Sequence, residues 1–232
     1  MIILLIIISS IVSFFIHRRN RRLLMKVTSP RRGTRSERRL VLKMLKKGVP
    51  PEAIYHDLYL QMRNGEYTQV DIVVALSQGL VAIEVKDYGG WLFGREDQRY
   101  WTQVLDHGRE KHRFYNPIMQ NSGHIRALRG QSGQLSRLPI YNVVLFGNRS
   151  RLKDVSWSPD NAYVGYTSDI MHVLKKIRRL SPADYKDMSE VSDILSRAVM
   201  NGEDREIVSG HIDYVRRQSR RGRFRHFFRW LF

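Results

Sequence analysis

Two apolar runs separated by a three-residue turn constrain this chain most. Val70 to Leu76 is apolar after Asp71, Ser77-Gln78-Gly79 is turn-forming, and Leu80 to Lys86 is apolar until it ends in charge. Such runs across a short turn predict paired strands, which would bring Asp71 close to Glu84 and Lys86 at one end of a sheet. Glu84 and Lys86 are two apart and project from one face. Two carboxylates and an amine converging there predict a divalent-metal site with an adjacent cation. Mg²⁺ takes oxygen ligands, usually one or two carboxylates plus waters. A bound metal acidifies water and neutralises charge on a phosphoryl oxygen. The competing reading is that Asp71 ends a strand and Glu84 with Lys86 forms a solvated edge pair. Against it stands the cost of placing charge in a strongly apolar strand without a partner.

Further residues join the pattern. Glu37 lies in a predicted helix over 34–47, and Asn116-Pro117-Ile118-Met119-Gln120-Asn121 opens another that carries His124. Taken with Gln69-Val70-Asp71 and the segment Glu84-Val85-Lys86-Asp87-Tyr88-Gly89-Gly90-Trp91, these residues resemble the NERD (nuclease-related) domain, a member of the PD-(D/E)XK nuclease-like superfamily. The resemblance covers about residues 33–150. It implies an α/β, restriction-endonuclease-like core with a central mixed β-sheet flanked by helices. It also implies a metal-dependent nuclease using Mg²⁺, with Mn²⁺ as a substitute, on DNA in preference to RNA. Asp71, Glu84 and Lys86 match the D…ExK core, and Glu37 matches the helix glutamate that completes the metal site. Gln120 matches the glutamine of the following helix. The implied catalytic set is Glu37, Asp71, Glu84, Lys86 and Gln120, with Asp71, Glu84 and Glu37 on the metal. His124 stands where related nucleases have a tyrosine, and Val70 replaces the proline of the superfamily name.

The N-terminus is the second constraint. Residues 1–16 form an uncharged run, followed by His17-Arg18-Arg19-Asn20-Arg21-Arg22. As a helix it reaches about 24 Å, slightly short of a usual span. A cleaved signal peptide would want basic residues before the run and small residues after it, and neither is present. A buried core helix is the other alternative. The expectation is an uncleaved, single-pass membrane anchor with the N-terminus outside and the remainder cytoplasmic by the positive-inside rule.

Net charge is +18, but its distribution is uneven. Residues 1–39 carry +9, residues 216–232 carry +7, and residues 40–215 only +2. Basic clusters beside an anchor are drawn to anionic lipid, or they gather a polyanionic substrate onto a nearly neutral site. The tail at 216–232 interleaves arginine with phenylalanine and tryptophan. It suits an interfacial helix, base stacking or a disordered end. There are no cysteines, which excludes disulfides and thiolate zinc sites.

The expected organisation is an anchor over 1–16, a basic juxtamembrane linker over 17–33, the nuclease-like domain over 34–167, a C-terminal helical extension over 168–215 and the tail. Strands are predicted over 53–62, 99–105, 140–146, 155–157 and 163–166, and helices over 117–128, 168–180, 181–200 and 203–217. His56, His107, His112, His124 and His172 show no metal-ligand spacing and read as surface or capping histidines. Trp91 and Trp101 read as core or sheet-face residues. Two functions remain: a membrane-anchored, metal-dependent nuclease, or a catalytically silent nuclease-fold binding or scaffold module at the membrane.

Overall fold

The computed structural model describes residues 2–220. It opens with α1 (Ile2–Leu24), which runs through the arginine cluster, followed by α2 (Arg35–Lys46). The hydroxyl of Thr34 caps α2 by accepting from the Glu37 N–H at 3.3 Å, the usual cure for an unsatisfied first-turn donor. Three antiparallel strands follow: β1 (Ile54–Gln61), β2 (Tyr67–Leu76) and β3 (Gly79–Lys86). Then come β4 (Gly90–Arg95), β5 (Tyr100–Leu105) and β6 (Glu110–Tyr115), and the helices α3 (Pro117–Arg129) and α4 (Gly133–Arg137). The chain continues through β7 (Ile140–Phe146), β8 (Ser150–Ser156), β9 (Tyr163–Tyr166), α5 (Ile170–Ile177), α6 (Met188–Asn201) and α7 (Arg205–Arg220).

The strands form two sheets. The first has the order β1-β2-β3-β7-β9, with β3, β7 and β9 parallel to one another. This is the mixed sheet the sequence predicts, and helices flank both its faces. Leu40, Val41 and Met44 of α2 and Val173 and Leu174 of α5 pack on one side. Ile125 and Leu128 of α3, Leu135 of α4 and Ile194 and Leu195 of α6 pack on the other. The second sheet, order β6-β5-β4-β8, is not predicted by the sequence. Its inner face buries Leu92, Trp101 and Phe114 against Val144 and Phe146 of the first sheet.

β1 and β2 share an irregularity that positions the site. Their rungs run through His56↔Ile72 and resume at Leu58↔Val70, leaving Asp57 opposite Asp71 with no rung between them. Asp57 has φ of 59°, in the left-handed region. Strand alternation changes sides there: Tyr55 and Leu58 enter the same layer, as do Val73 and Val70. An irregularity of this kind kinks a strand and re-aims its side chains.

The membrane expectation is corrected. Among the described residues no helix is long and apolar enough to cross a membrane. The uncharged part of α1 ends at Ile16, about 23 Å from its start at 1.5 Å per residue. That falls short of a hydrocarbon core of about 30 Å, and Arg18, Arg19, Arg21 and Arg22 occupy the turns that would complete a span. The transmembrane helix added to the fold class, the anchor assigned to residues 1–16, the single-pass localisation and the membrane and anionic-lipid partners all fall with it. Most of the predicted tail, residues 221–232, lies outside the described residues.

Two smaller differences have local causes. Residues 181–187 are not helical: the Ala183 N–H donates to the Ser77 carbonyl at 2.8 Å, and the Tyr185 hydroxyl donates to the Leu76 carbonyl at 2.8 Å. β6 was not predicted because EKHRFY is charged at three of its first four positions and carries little apolar alternation.

Candidate nucleic-acid interface

Asp71 and Glu84 face each other where β2 and β3 separate. The ladder ends at the Ile72↔Ile83 rung, and beyond it the Asp71 Oδ2 accepts from the Val85 backbone N–H at 2.8 Å. Glu84 is 1% exposed, and its Oε1 lies 2.6 Å from the Lys86 Nζ. Its other oxygen lies 3.3 Å from His124 Nε2 on α3, without the alignment of a hydrogen bond. The opposite ring nitrogen, Nδ1, pairs with the Thr68 hydroxyl at 3.0 Å.

Electrostatics follow from this packing. Burial pushes the Glu84 carboxyl up, but Lys86 and His124 overcome it and hold the group at about 2. Burial works against the Lys86 ammonium too, yet Glu84, Tyr88 and Asp71 outweigh it and raise the lysine above its ordinary range. Burial, then the like charges of Glu84 and Glu37, push the Asp71 carboxyl well above normal; Lys86 and the Val85 N–H pull it down. Burial also raises the Tyr59 and Tyr88 hydroxyls, which therefore stay protonated hydrogen-bond donors.

Glu37 is held by the fold. The Thr34 hydroxyl donates to its Oε1 at 2.6 Å, and His56 Nε2 lies 3.2 Å from its Oε2. His56 is fully buried, with Nδ1 on the Thr28 hydroxyl at 2.8 Å. Gly33 has φ of 58° and passes so close that a Cβ there would collide with the Glu37 carboxylate and the His56 ring. On α3, Gln120 Oε1 is buried without a hydrogen-bond partner.

The metal expectation is corrected by this geometry. Among the described residues, no three His, Cys, Asp or Glu side chains gather to hold a metal ion. Glu84 faces Lys86 and His124, Asp71 holds a backbone N–H, and Glu37 is turned to Thr34 and His56. The donor set does not fit Mg²⁺ or Mn²⁺, and the metal-dependent phosphodiesterase inferred from it is withdrawn.

The five predicted site residues nonetheless line one cleft of about 1810 Å³. Eight Lys/Arg and five Asp/Glu line it. Arg31, Arg35, Arg63, Arg126 and Arg129 are exposed on its walls, and Lys86 lies at its floor with a side chain 11% exposed. Sequence reasoning missed Arg32 and Asp57, which pair through Nε and Oδ2 at 3.0 Å. The Gln69 amide also donates to Asp57, at 2.8 Å. The sequence reading also took His56 and His124 as surface or capping histidines, whereas both are buried. No local signal identifies these residues, since each partner comes from a distant element.

Residues 32–147, half of the chain, match the family model of the nuclease-related domain, NERD. An uncharacterized protein of Bacillus anthracis is 28% identical over 179 residues, covering 76% of this chain and 81% of that protein. No solved structure matches the chain.

Proposed function

Since this chain belongs to the nuclease-related domain (NERD) family, we propose that its arginine-walled cleft binds the sugar-phosphate backbone of a nucleic acid. The observation that carries the reading is the placement of a charged, nearly buried lysine at the floor of a cleft whose rim is arginine. Glu84 fixes the Lys86 ammonium in place, so binding does not have to order a flexible side chain. Exposed arginines on both walls supply the sequence-independent attraction that dominates affinity for a phosphate polymer. Three of the cleft's arginines, Arg31, Arg32 and Arg35, come from the basic segment before residue 40, so the near-neutral total over residues 40–215 does not count them.

The site residues take these roles. Lys86 contacts a phosphate oxygen, and Asp71 and Glu84 hold it at the floor. Gln120 offers its unpartnered oxygen to a donor on the sugar or base. Tyr59 and Tyr88 present neutral hydroxyl donors to the cleft. Glu37 supports the wall formed by residues 31–36.

The test is fluorescence anisotropy of labelled DNA and RNA with the full chain over a salt series. Affinity should fall linearly in log–log form as salt rises, since bound phosphates release counterions. Arg126→Gln with Arg129→Gln should flatten that slope by about one to two units. No binding at low salt, or a slope unchanged in the variant, would remove the cleft from consideration.

A further inference from the structure

The outer face of the second sheet carries a different surface. Leu92, Trp101 and Phe114 point inward to the core, so their strand neighbours point outward. The pairings put Trp91 beside Val104, Phe93 beside Thr102, Tyr100 beside Tyr115, and Thr102 beside Arg113. Trp91, Phe93, Tyr100 and Tyr115 are thus gathered on one face, all half-buried and none part of the core cluster beneath. Among the described residues, α2, α4, α5 and α6 bury their apolar faces against the first sheet, and Ile118 of α3 packs on the inner face of the second.

Cations interleave with these rings. Lys153 Nζ lies 5.1 Å from the Trp91 ring centre, and the guanidinium carbons of Arg113 and Arg99 lie 5.1 Å and 5.6 Å from that of Tyr100. Arg95 and Arg151 share the face through their pairing with the second sheet's strands, whereas Asp154 is the acid paired there with Phe93. Half-buried rings among long cations form the arrangement that holds an unpaired nucleic-acid strand: bases stack on the rings while the cations move to phosphates. A duplex hides its base faces, and an acidic peptide lacks a run of flat faces to stack.

The surface is also continuous with the cleft. Tyr115, Met119 and Arg126 line both the cleft and a neighbouring depression of about 830 Å³, whose wall includes Arg95 and Trp157. A strand leaving the cleft past Arg126 therefore meets Tyr115 and then Tyr100, whose ring centres are 6.1 Å apart.

We propose that the outer face of the β6-β5-β4-β8 sheet binds single-stranded nucleic acid, with bases stacked on Trp91, Phe93, Tyr100 and Tyr115. This rests on the nucleic-acid reading of the cleft for the path of the polymer, and it adds the strand state of the ligand.

The experiment uses the full chain with labelled oligothymidylate and with the same strand annealed to oligoadenylate. The single strand should bind more tightly and quench tryptophan fluorescence, and Trp91→Phe should remove most of that quench. Trp91→Ala and Tyr100→Ala should each weaken single-strand binding by about tenfold, the scale of one base–aromatic stack, and leave duplex binding unchanged. Tyr100→Phe, which still stacks, should bind like the parent. Alanine variants that bind the single strand like the parent, or that lose both forms equally, overturn the proposal. If those variants behave as parent while Arg126→Gln with Arg129→Gln loses binding, the cleft reading survives alone. If Trp91→Ala and Tyr100→Ala lose single-strand binding while the cleft variant is neutral, the sheet face stands and the cleft reading fails.

Discussion

The Asp71 carboxylate takes the place of a backbone rung: its Oδ2 accepts from the Val85 N–H at 2.8 Å, one step beyond the last pairing of β2 with β3. A single side chain thus holds the two strands where they part and faces the cleft floor. Asp71→Ala should leave that amide unsatisfied and cost about 1–3 kcal/mol. Asp71→Asn keeps an acceptor. It also removes a carboxyl whose folded pKa is raised by burial and by Glu84 and Glu37. The stabilising contribution of such a group is complete below the ordinary value of 3.8 and is lost as pH rises through the folded value. Asp71→Asn should therefore be more stable than the parent at neutral pH, with the gain fading on acidification. Urea unfolding at several pH values reads both variants.

The Glu84–Lys86 pair should behave in the opposite sense. Its carboxyl is lowered from 4.5 to about 2. Its contribution is full above the unfolded value and is lost as pH falls through the folded one, so this pair's part of the stability should decline as pH drops from about 4.5 toward 2. Lys86→Met should cost about 3–5 kcal/mol by leaving a buried carboxylate without its cation. Adding Glu84→Gln should recover much of that loss, and a double-mutant cycle in denaturant measures how much. The double variant should still bind nucleic acid more weakly than the parent, separating the lysine's part in binding from its part in folding.

Arg32 and Asp57 test the kink in β1. The guanidinium reaches both the Asp57 carboxylate at 3.0 Å and the Asp57 carbonyl at 2.6 Å, fixing a residue at φ of 59°. Arg32→Ala should destabilise by about 3–5 kcal/mol, because it strands a buried charge. Arg32→Lys should restore little, since an ammonium lacks the planar fork. Thermal unfolding and amide exchange at Asp57 and its neighbours would report the change.

The predicted strands and their turn were legible because β2 and β3 are apolar, β-branched and joined by Ser77-Gln78-Gly79, all local information. Asp71, Glu84 and Lys86 were legible as one cluster because a short hairpin fixes its own register. The second sheet was not, because β4 pairs in parallel with β8 across more than fifty residues and nothing local encodes that. The metal inference failed for a related reason. Residue type and spacing brought Asp71, Glu84 and Glu37 to one cleft, but not the contacts that occupy their oxygens: the Val85 N–H on Asp71, Lys86 and His124 about Glu84, and His56 and the Thr34 cap about Glu37. The anchor failed on length: the run was read as slightly short of a span, and the residues after Ile16 that would have to complete it are arginines.

Helix α7 forms one wall of the cleft through Val208, Ile212 and Val215. The His211 Nδ1–H donates to the Tyr67 carbonyl at 2.8 Å. Burial lowers the His211 pKa below 6.5, although the Tyr67 carbonyl opposes this. The stability this gives is present above 6.5 and declines as pH falls through the lowered value. Hydrogen exchange in α7 should therefore accelerate on mild acidification while β2 and β3 stay protected. In His211→Asn, which retains a donor without the titration, exchange should be flat over the same interval.

Glu37 has a consequence for comparing relatives of this chain. It accepts from the Thr34 cap, neighbours the buried His56 ring and sits against a glycine that tolerates no Cβ. Selection for folding alone would keep a glutamate there through long divergence. Its presence in a related chain would mark inherited architecture, whereas Lys86 and Gln120, whose polar ends face the cleft, are where a change of ligand would leave its trace.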